Sequence, residues 1–241
     1  RTVVGAADLS KAFDTVSHTL LLDSLAKLNL PANLIRWLSA FLRGRSSRVS
    51  YQGVVSPPRI IRMGVPQGGV LSPDLYNFYV VDQPSAAEIH SGYADDTYDA
   101  ESAIDIGEAA GRVTAALSEF DNWATSKRLS LTPSKSTVTL FTPDKHQSRH
   151  HPPVSVRGSI VKLDRQPRIL GVYFDTHFTF SAHAREIACK AKSKLVVMKA
   201  TAGSTWGASK EILSMTFKGL VKSSLNYCAP IWAPNMAQSS F

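Results

Sequence analysis

Two adjacent carboxylates, Asp95 and Asp96, lie between two stretches of β-pattern, and nothing else in the chain constrains the fold as much. Ile89-His90-Ser91-Gly92-Tyr93 leads into them and Thr97-Tyr98 leads away, which reads as the tip of a β-hairpin. A third carboxylate, Asp8, closes the apolar run Val3-Val4-Gly5-Ala6-Ala7, a short strand whose last residue projects beyond its sheet. Backbone groups at a hairpin tip cannot neutralise both aspartates, so these side chains are free to hold cations. If the two strand ends are neighbours, three carboxylates meet at one sheet edge. Hard oxygen donors of this kind suit Mg²⁺, which is held by one or two carboxylates together with waters and phosphates. Two such ions, about 3.5–4 Å apart, clamp the attacking and leaving oxygens of an in-line phosphoryl displacement.

Composition narrows the class. A chain of 241 residues with 44% hydrophobic and 19% charged residues can bury a sizeable core and is not a disordered chain. It contains no run of 18 apolar residues, so no membrane-spanning helix is expected. A formal charge of +8 favours a polyanionic partner. Cys189 and Cys228 have neither metal-ligand nor disulfide-framework spacing, which fits a reducing compartment. The first strand begins almost at Arg1, without an initiator Met, so the chain is expected to be cut from something longer.

Along the chain, Ser17 is expected to cap a helix over 18–28, and Pro31 to open a second one ended by Gly44. Arg43, Arg45 and Arg48 follow, either as phosphate contacts or as a solubilised helix end. Residues 48–63 read as strands broken at Gln52-Gly53 and Pro57-Pro58. Gly64-Val65-Pro66-Gln67-Gly68-Gly69 is a glycine-rich turn into a helix with Ser72 as cap and Pro73 at its first position. Ser102 is expected to cap a long helix whose stripe runs from Ala103 through Ile106, Ala110, Val113, Leu117 and Phe120 to Trp123. A strand over 136–142, an exposed loop holding His146, His150 and His151, a hairpin around Arg157-Gly158 and a strand over 168–174 come next. From about Ser181 the chain reads as helical and basic.

In this order the motifs resemble those of reverse transcriptases, specifically the enzymes of non-LTR (LINE-type) retrotransposons. Ala7-Asp8-Leu9-Ser10-Lys11-Ala12-Phe13-Asp14 is similar to their motif A, Gly64 to Pro73 to motif B, and Tyr93-Ala94-Asp95-Asp96 to motif C. Leu129 to Ser136 is similar to motif D, Leu170-Gly171-Val172 to the strand after it, and the segment from Ser224 to Trp232 to the helical thumb. The implied fold is α+β: a polymerase palm over residues 1–178, with an antiparallel sheet and helices on one face, then a small helical thumb-like region over 179–241. The family's fingers precede motif A and are missing here, as is its endonuclease.

The resemblance implies an RNA-directed DNA polymerase that transfers dNTPs to a primer 3′-hydroxyl on an RNA template, with two Mg²⁺ ions for which Mn²⁺ can substitute. Asp8 and Asp95 would ligate the metals, with Asp96 as a weaker ligand, and Lys135 would bring charge or a proton to the leaving pyrophosphate. Phe13 would lie under the incoming sugar and reject a 2′-hydroxyl. Gln67 would position the nucleotide or the template base, Gly68 and Gly69 would allow close backbone approach, and Tyr93 would pack near the primer end. Asp14 is expected to be structural. Residence in the nucleus is implied by the resemblance alone. Without fingers, weak or absent activity is expected of these residues by themselves. Thr97-Tyr98-Asp99-Ala100-Glu101 carries two acids where such enzymes are typically more apolar, so Asp99 either adds to the acidic cluster or marks a decayed copy. Two other readings stay open: an RNA-directed RNA polymerase on the same palm, and a degraded palm that only binds nucleic acid.

Overall fold

The computed structural model describes residues 1–203 and 206–234. By contacts the chain divides into two compact units, one comprising residues 1–138 and 151–163, the other 139–150 and 164–241. This division falls within the segment expected to be palm, and the two units are described separately.

The first unit opens with β1 (Thr2–Asp8), a single turn α1 (Ala12–Thr15), and the helices α2 (His18–Lys27) and α3 (Ala32–Leu42). A thin ribbon follows, made of β2 (Ser46–Ser47), β3 (Ser50–Tyr51), β4 (Val54–Val55) and β5 (Arg59–Ile60). Next come α4 (Ser72–Tyr79), the hairpin β6 (Ile89–Tyr93) and β7 (Asp96–Ser102), and the long helix α5 (Ile106–Ser126). β8 (Thr137–Phe141) starts in this unit, and the hairpin β9 (Ser155–Val156) and β10 (Ser159–Ile160) and strand β11 (Lys162–Leu163) complete it. Strands β11, β8, β1, β7 and β6 form one sheet in that order.

The sheet is mixed, not purely antiparallel: β1 and β6 pair antiparallel to β7, whereas β11 runs parallel to β8. Alternation along β1 buries Val3, Gly5 and Ala7 and leaves Val4, Ala6 and Asp8 half-exposed. The buried face carries α5, whose Ala109, Ala110, Val113, Ala116, Leu117 and Phe120 face inward. Gly5 is required there, because a Cβ would stand 2.8 Å from Val113 Cγ1 and 2.9 Å from Leu117 Cδ1. On the N-terminal side, Leu21 and Leu25 of α2 and Leu75, Tyr76 and Tyr79 of α4 are fully or almost fully buried.

Three expected boundaries move. Ser102 ends β7, and α5 is capped instead by Asp105, whose carboxylate accepts from Glu108 N at 2.9 Å. Ser72 is the first residue of α4 and not its cap; its hydroxyl donates to Pro66 O and ties down the glycine turn. Ser17 holds the N-cap position of α2 but makes no capping bond; its backbone N–H donates to the Tyr79 hydroxyl at 3.4 Å.

In the second unit, the strand expected over 168–174 is a hairpin, β12 (Arg168–Ile169) and β13 (Val172–Tyr173). Its turn is Leu170-Gly171, both at positive φ, which twists as a two-residue hairpin requires. Phe141, Phe174, Phe178 and Phe180 pack ring on ring, the closest pair 4.6 Å apart. Helix α6 (Ser181–Ala200) is followed by one helical run made of α7 (Lys210–Thr216), a π-helical stretch Phe217–Lys222 and α8 (Ser223–Asn226); the turn α9 (Ala229–Trp232) comes last. Lys194 Nζ donates to Leu220 O at 3.0 Å and to Ser224 Oγ, and Tyr227 Oη donates to Leu170 O at 2.6 Å. No described helix is long and apolar enough to cross a membrane.

The Gly5 contact yields a direct expectation. Gly5→Ala overpacks the joint between β1 and α5 and should cost about 1–3 kcal/mol in urea denaturation; an unchanged midpoint would mean that the helix can back away freely.

Candidate active site

The end of β1 and the β6–β7 turn come together by register. Asp8 is the direct cross-strand partner of Asp96, and Tyr93 is the partner of Asp96 on the other side. Ala94 and Asp95 are therefore a two-residue turn. Ala94 lies in the left-handed region at φ 55°, a conformation an L-residue adopts at a cost of about 1 kcal/mol, so the ladders on either side must hold it.

The carboxylates crowd each other. Asp96 is pushed above the ordinary carboxylate range, first by burial and then by the charges of Asp95 and Asp8. Asp8 Oδ2 is buried and makes no hydrogen bond, although the Asp8 side chain as a whole is 37% exposed; Lys135 Nζ stands 3.6 Å from that oxygen, beyond hydrogen-bond reach. Lys135 arrives there because its loop is laced to the strand end: Thr132 N donates to Asp8 O, Ser10 N to Ser130 O, and Asp8 N to Ser136 Oγ.

No three His, Cys, Asp or Glu side chains among the described residues converge as a metal cage. The donors nevertheless fit a hard divalent cation. Such an ion takes one or two carboxylates and completes its shell with water and phosphate, and here two carboxylates stand in register, one of them with an oxygen that no donor satisfies.

The glycine turn lies against the same end of the unit. Gly64 N donates to Val16 O, Val65 N to Phe13 O, and the His18 ring bonds Gly64 O at 2.8 Å. Gly64 must be glycine: its φ is +86°, and a Cβ would stand 2.6 Å from Asp14 O. Phe13, Gln67, Gly68, Gly69, Ser72, Pro73 and Asp95 line one cleft of about 510 Å³. So Phe13, Gln67, Gly68 and Asp95 share a cavity, whereas Asp8, Asp96 and Lys135 cluster at the strand ends beside it. Tyr93 is exposed on the hairpin and lines neither.

Some residues of the site carry no signal in their local pattern. Tyr76 of α4 stacks on Phe13 with ring centroids 4.6 Å apart, and burial, followed by the Asp95 charge, holds its hydroxyl firmly protonated. Asp14 accepts from Gln67 Nε2 at 3.0 Å and so joins the strand-end loop to the glycine turn. A helical position and a turn position meet only through the fold.

Asp99 does not add to the acidic cluster. The pleat turns Thr97, Asp99 and Glu101 to the α5 side, opposite Asp96. Asp99 is buried and bonds His90 Nδ1 at 2.6 Å, and Gln83 Nε2 bonds both His90 Nε2 and Thr97 Oγ1. Glu101 accepts from Glu88 N at 2.8 Å. Both acids are thus structural groups of the sheet's covered face.

Burial is the main influence on the Asp99 carboxyl and raises it above its ordinary value; the His90 bond opposes this and Glu101 adds to it. A carboxyl raised by folding gives stability that is full below its unfolded pKa and is lost as pH rises through the folded one. Asp99→Asn keeps an acceptor for His90 and removes the buried charge. It should therefore melt above the parent chain near neutral pH, with the difference closing toward about pH 4. A lower melting temperature at neutral pH would show that attraction to His90 outweighs the burial cost.

Comparisons with known proteins point the same way. A family model described as reverse transcriptase (RNA-dependent DNA polymerase) matches residues 1–174. An RNA-directed DNA polymerase from mobile element jockey of Drosophila funebris is 30% identical over 79% of this chain and 21% of its own length. The probable RNA-directed DNA polymerase from transposon BS of Drosophila melanogaster is 28% identical over 93% of the chain and 25% of its own length. That from transposon X-element of the same species is 30% identical over 78% and 21%. The chain thus spans about a fifth to a quarter of the length of these curated relatives.

Proposed function

Because the chain belongs to the reverse transcriptase (RNA-dependent DNA polymerase) family, we propose that it is the polymerase portion of a non-LTR retrotransposon protein, transferring dNTPs to a primer 3′-hydroxyl on an RNA template. The observation that carries this reading is the Asp8–Asp96 register, with Asp95 of the adjoining β6–β7 turn on the wall of a cleft large enough for a nucleotide. Residues 1–178 serve as the palm and 179–241 as a thumb-like region. The extent of the family match, residues 1–174, supports the first of these.

Members of the family use divalent metal ions; the ligands would be Asp8 and Asp95, with Asp96 as the weaker one, a reading supported by Asp8 standing in register with Asp96 next to Asp95. Held there, two Mg²⁺ ions would lower the pKa of the attacking hydroxyl and neutralise charge on the transferring and leaving phosphates. The chain's own share is positioning and electrostatics. Phe13, braced from behind by Tyr76, closes the cleft where a sugar lies and rejects a 2′-hydroxyl by contact. Gln67, fixed by its bond to Asp14, orients the nucleotide, and Gly68 leaves room for close backbone approach. Lys135, 64% exposed and loosely held, can swing from Asp8 toward a departing pyrophosphate.

The test is Mg²⁺-dependent dNTP incorporation on a primed RNA template, by this chain and by a form extended at its N-terminus. Asp95→Asn should reduce incorporation on the order of 10³-fold or more without lowering the melting temperature; extension at the parental rate would overturn the assignment. Phe13→Val should erode discrimination against rNTPs on the order of tenfold, read as the ratio of dNTP to rNTP incorporation. An unchanged ratio would remove Phe13 from the sugar site.

A further inference from the structure

Charge is distributed very unevenly in the first unit. No Asp or Glu lies between Asp23 and Asp74, yet Arg43, Arg45, Arg48, Arg59 and Arg62 fall in that interval. These five arginines sit on or beside the ribbon formed by β2 to β5. Ser47 pairs with Arg59, Ser46 with Ile60, Ser50 with Val55 and Tyr51 with Val54, and Ile61 N donates to Arg45 O at 2.9 Å. The ribbon turns at Gln52-Gly53, both at positive φ. It is a single two-stranded arm reaching from Arg45 to its tip and back to Ile61.

Two features separate this arm from an ordinary solvated surface. A two-stranded ribbon is at best marginally stable in water, and this one keeps Val49, Tyr51, Val54 and Ile60 each more than 70% exposed. None of its arginines is paired with a carboxylate among the described residues; Arg45 instead lies over the Phe41 ring, 5.1 Å from its centroid. The base of the arm also opens into the site. A second cleft, of about 470 Å³, lies between Arg45, Ile61 and Met63 on one side and Asp14, Gly64 and Gln67 on the other, and Gln67 is shared with the cleft that holds Phe13 and Asp95.

Resting on the polymerase reading, we propose that the 45–61 arm is a contact surface for a single-stranded nucleic-acid backbone, and that it guides the template strand along the 470 Å³ cleft toward the Asp95 turn. Unpaired arginines neutralise phosphates, and exposed Tyr51 offers a face on which a base stacks, the combination that single-strand binders use. The aliphatic side chains beside it gain the cover that the free arm lacks.

Salt dependence tests this without catalysis. Each phosphate contact to a single strand contributes about 0.7 to the slope of log K against log salt. Binding of the chain to an RNA oligonucleotide and to a DNA oligonucleotide of the same sequence, in EDTA, is measured over a range of salt. Arg48→Ala/Arg59→Ala should flatten the RNA slope by about 1.4 and weaken binding at low salt by at least tenfold. Arg48→Lys/Arg59→Lys should restore most of the slope, and Lys145→Ala/Arg149→Ala, which removes the same charge elsewhere, should leave it unchanged. Equal flattening with DNA assigns the arm to phosphates in general, and a larger effect with RNA assigns it to the template. Full slope in Arg48→Ala/Arg59→Ala, an equal loss in Lys145→Ala/Arg149→Ala, or no binding by the parent chain overturns the proposal. The incorporation test reads catalysis in Mg²⁺ and this one reads binding in EDTA, so failure of the polymerase reading there and failure of the arm here are separate results.

Discussion

The antiparallel register of β1 on β7 is the constraint on which the rest of the first unit depends. It turns Val3, Gly5 and Ala7 to one side, where α5 approaches so closely that only glycine fits at position 5, and turns Asp8 to the other, opposite Asp96. A slip of one residue would exchange the two faces. The acidic edge is not self-stabilising, since Asp96 is raised by burial and then by the two like charges beside it. What holds it is the apolar burial on the opposite side, about 25 cal/mol per Å² of surface removed from water. Stability is generated on one face of the sheet and expended on the other.

Buried polar groups then join the elements around this sheet. Lys127, almost fully buried at the end of α5, reaches Asp82 Oδ2 at 2.8 Å and Ser24 Oγ at 3.4 Å, and lies over the Tyr79 ring. Asp82 also accepts from Trp123 Nε1, and the Tyr79 hydroxyl donates to Lys127 O. A charge removed from water is costly unless paired and hydrogen-bonded, and Lys127 is met by Ser24 of α2, Tyr79 of α4 and Asp82 in the turn after α4. Together with the His90, Asp99 and Gln83 set under the β6–β7 hairpin, they fix how α2, α4 and α5 sit relative to the strands, which apolar packing alone leaves adjustable.

Much of this was legible in the chain itself. The strand ending at Asp8, the hairpin around Asp95 and Asp96, the glycine turn and the stripe of α5 all rest on short-range signals: alternation, turn chemistry and helical spacing. Less legible were choices between adjacent candidates. Ser102 and Asp105 are both good caps, and only the length of β7, set by pairing with β1, decides for Asp105. The 168–174 segment has strand composition throughout, but Leu170 enters the left-handed region beside Gly171 and folds it into a hairpin. The parallel pairing of β11 with β8 and the meetings of Phe13 with Tyr76 and Asp14 with Gln67 are products of topology, which no local pattern encodes.

Two hairpin tips of the first unit, those of β6–β7 and of β3–β4, differ in how freely their length can drift. At Ala94-Asp95 the turn has the minimum of two residues, and the strands on both sides are locked into the sheet, so an inserted codon would displace Asp95 or break the pairing of Tyr93 with Asp96. At Gln52-Gly53 the flanking strands pair only with each other, and a longer tip disturbs nothing beneath it. Sequences related to this one that diverge by small insertions and deletions would then keep one tip at constant length and vary the other, so the reach of the arm would change from one to the next while the geometry of the carboxylate edge stayed fixed.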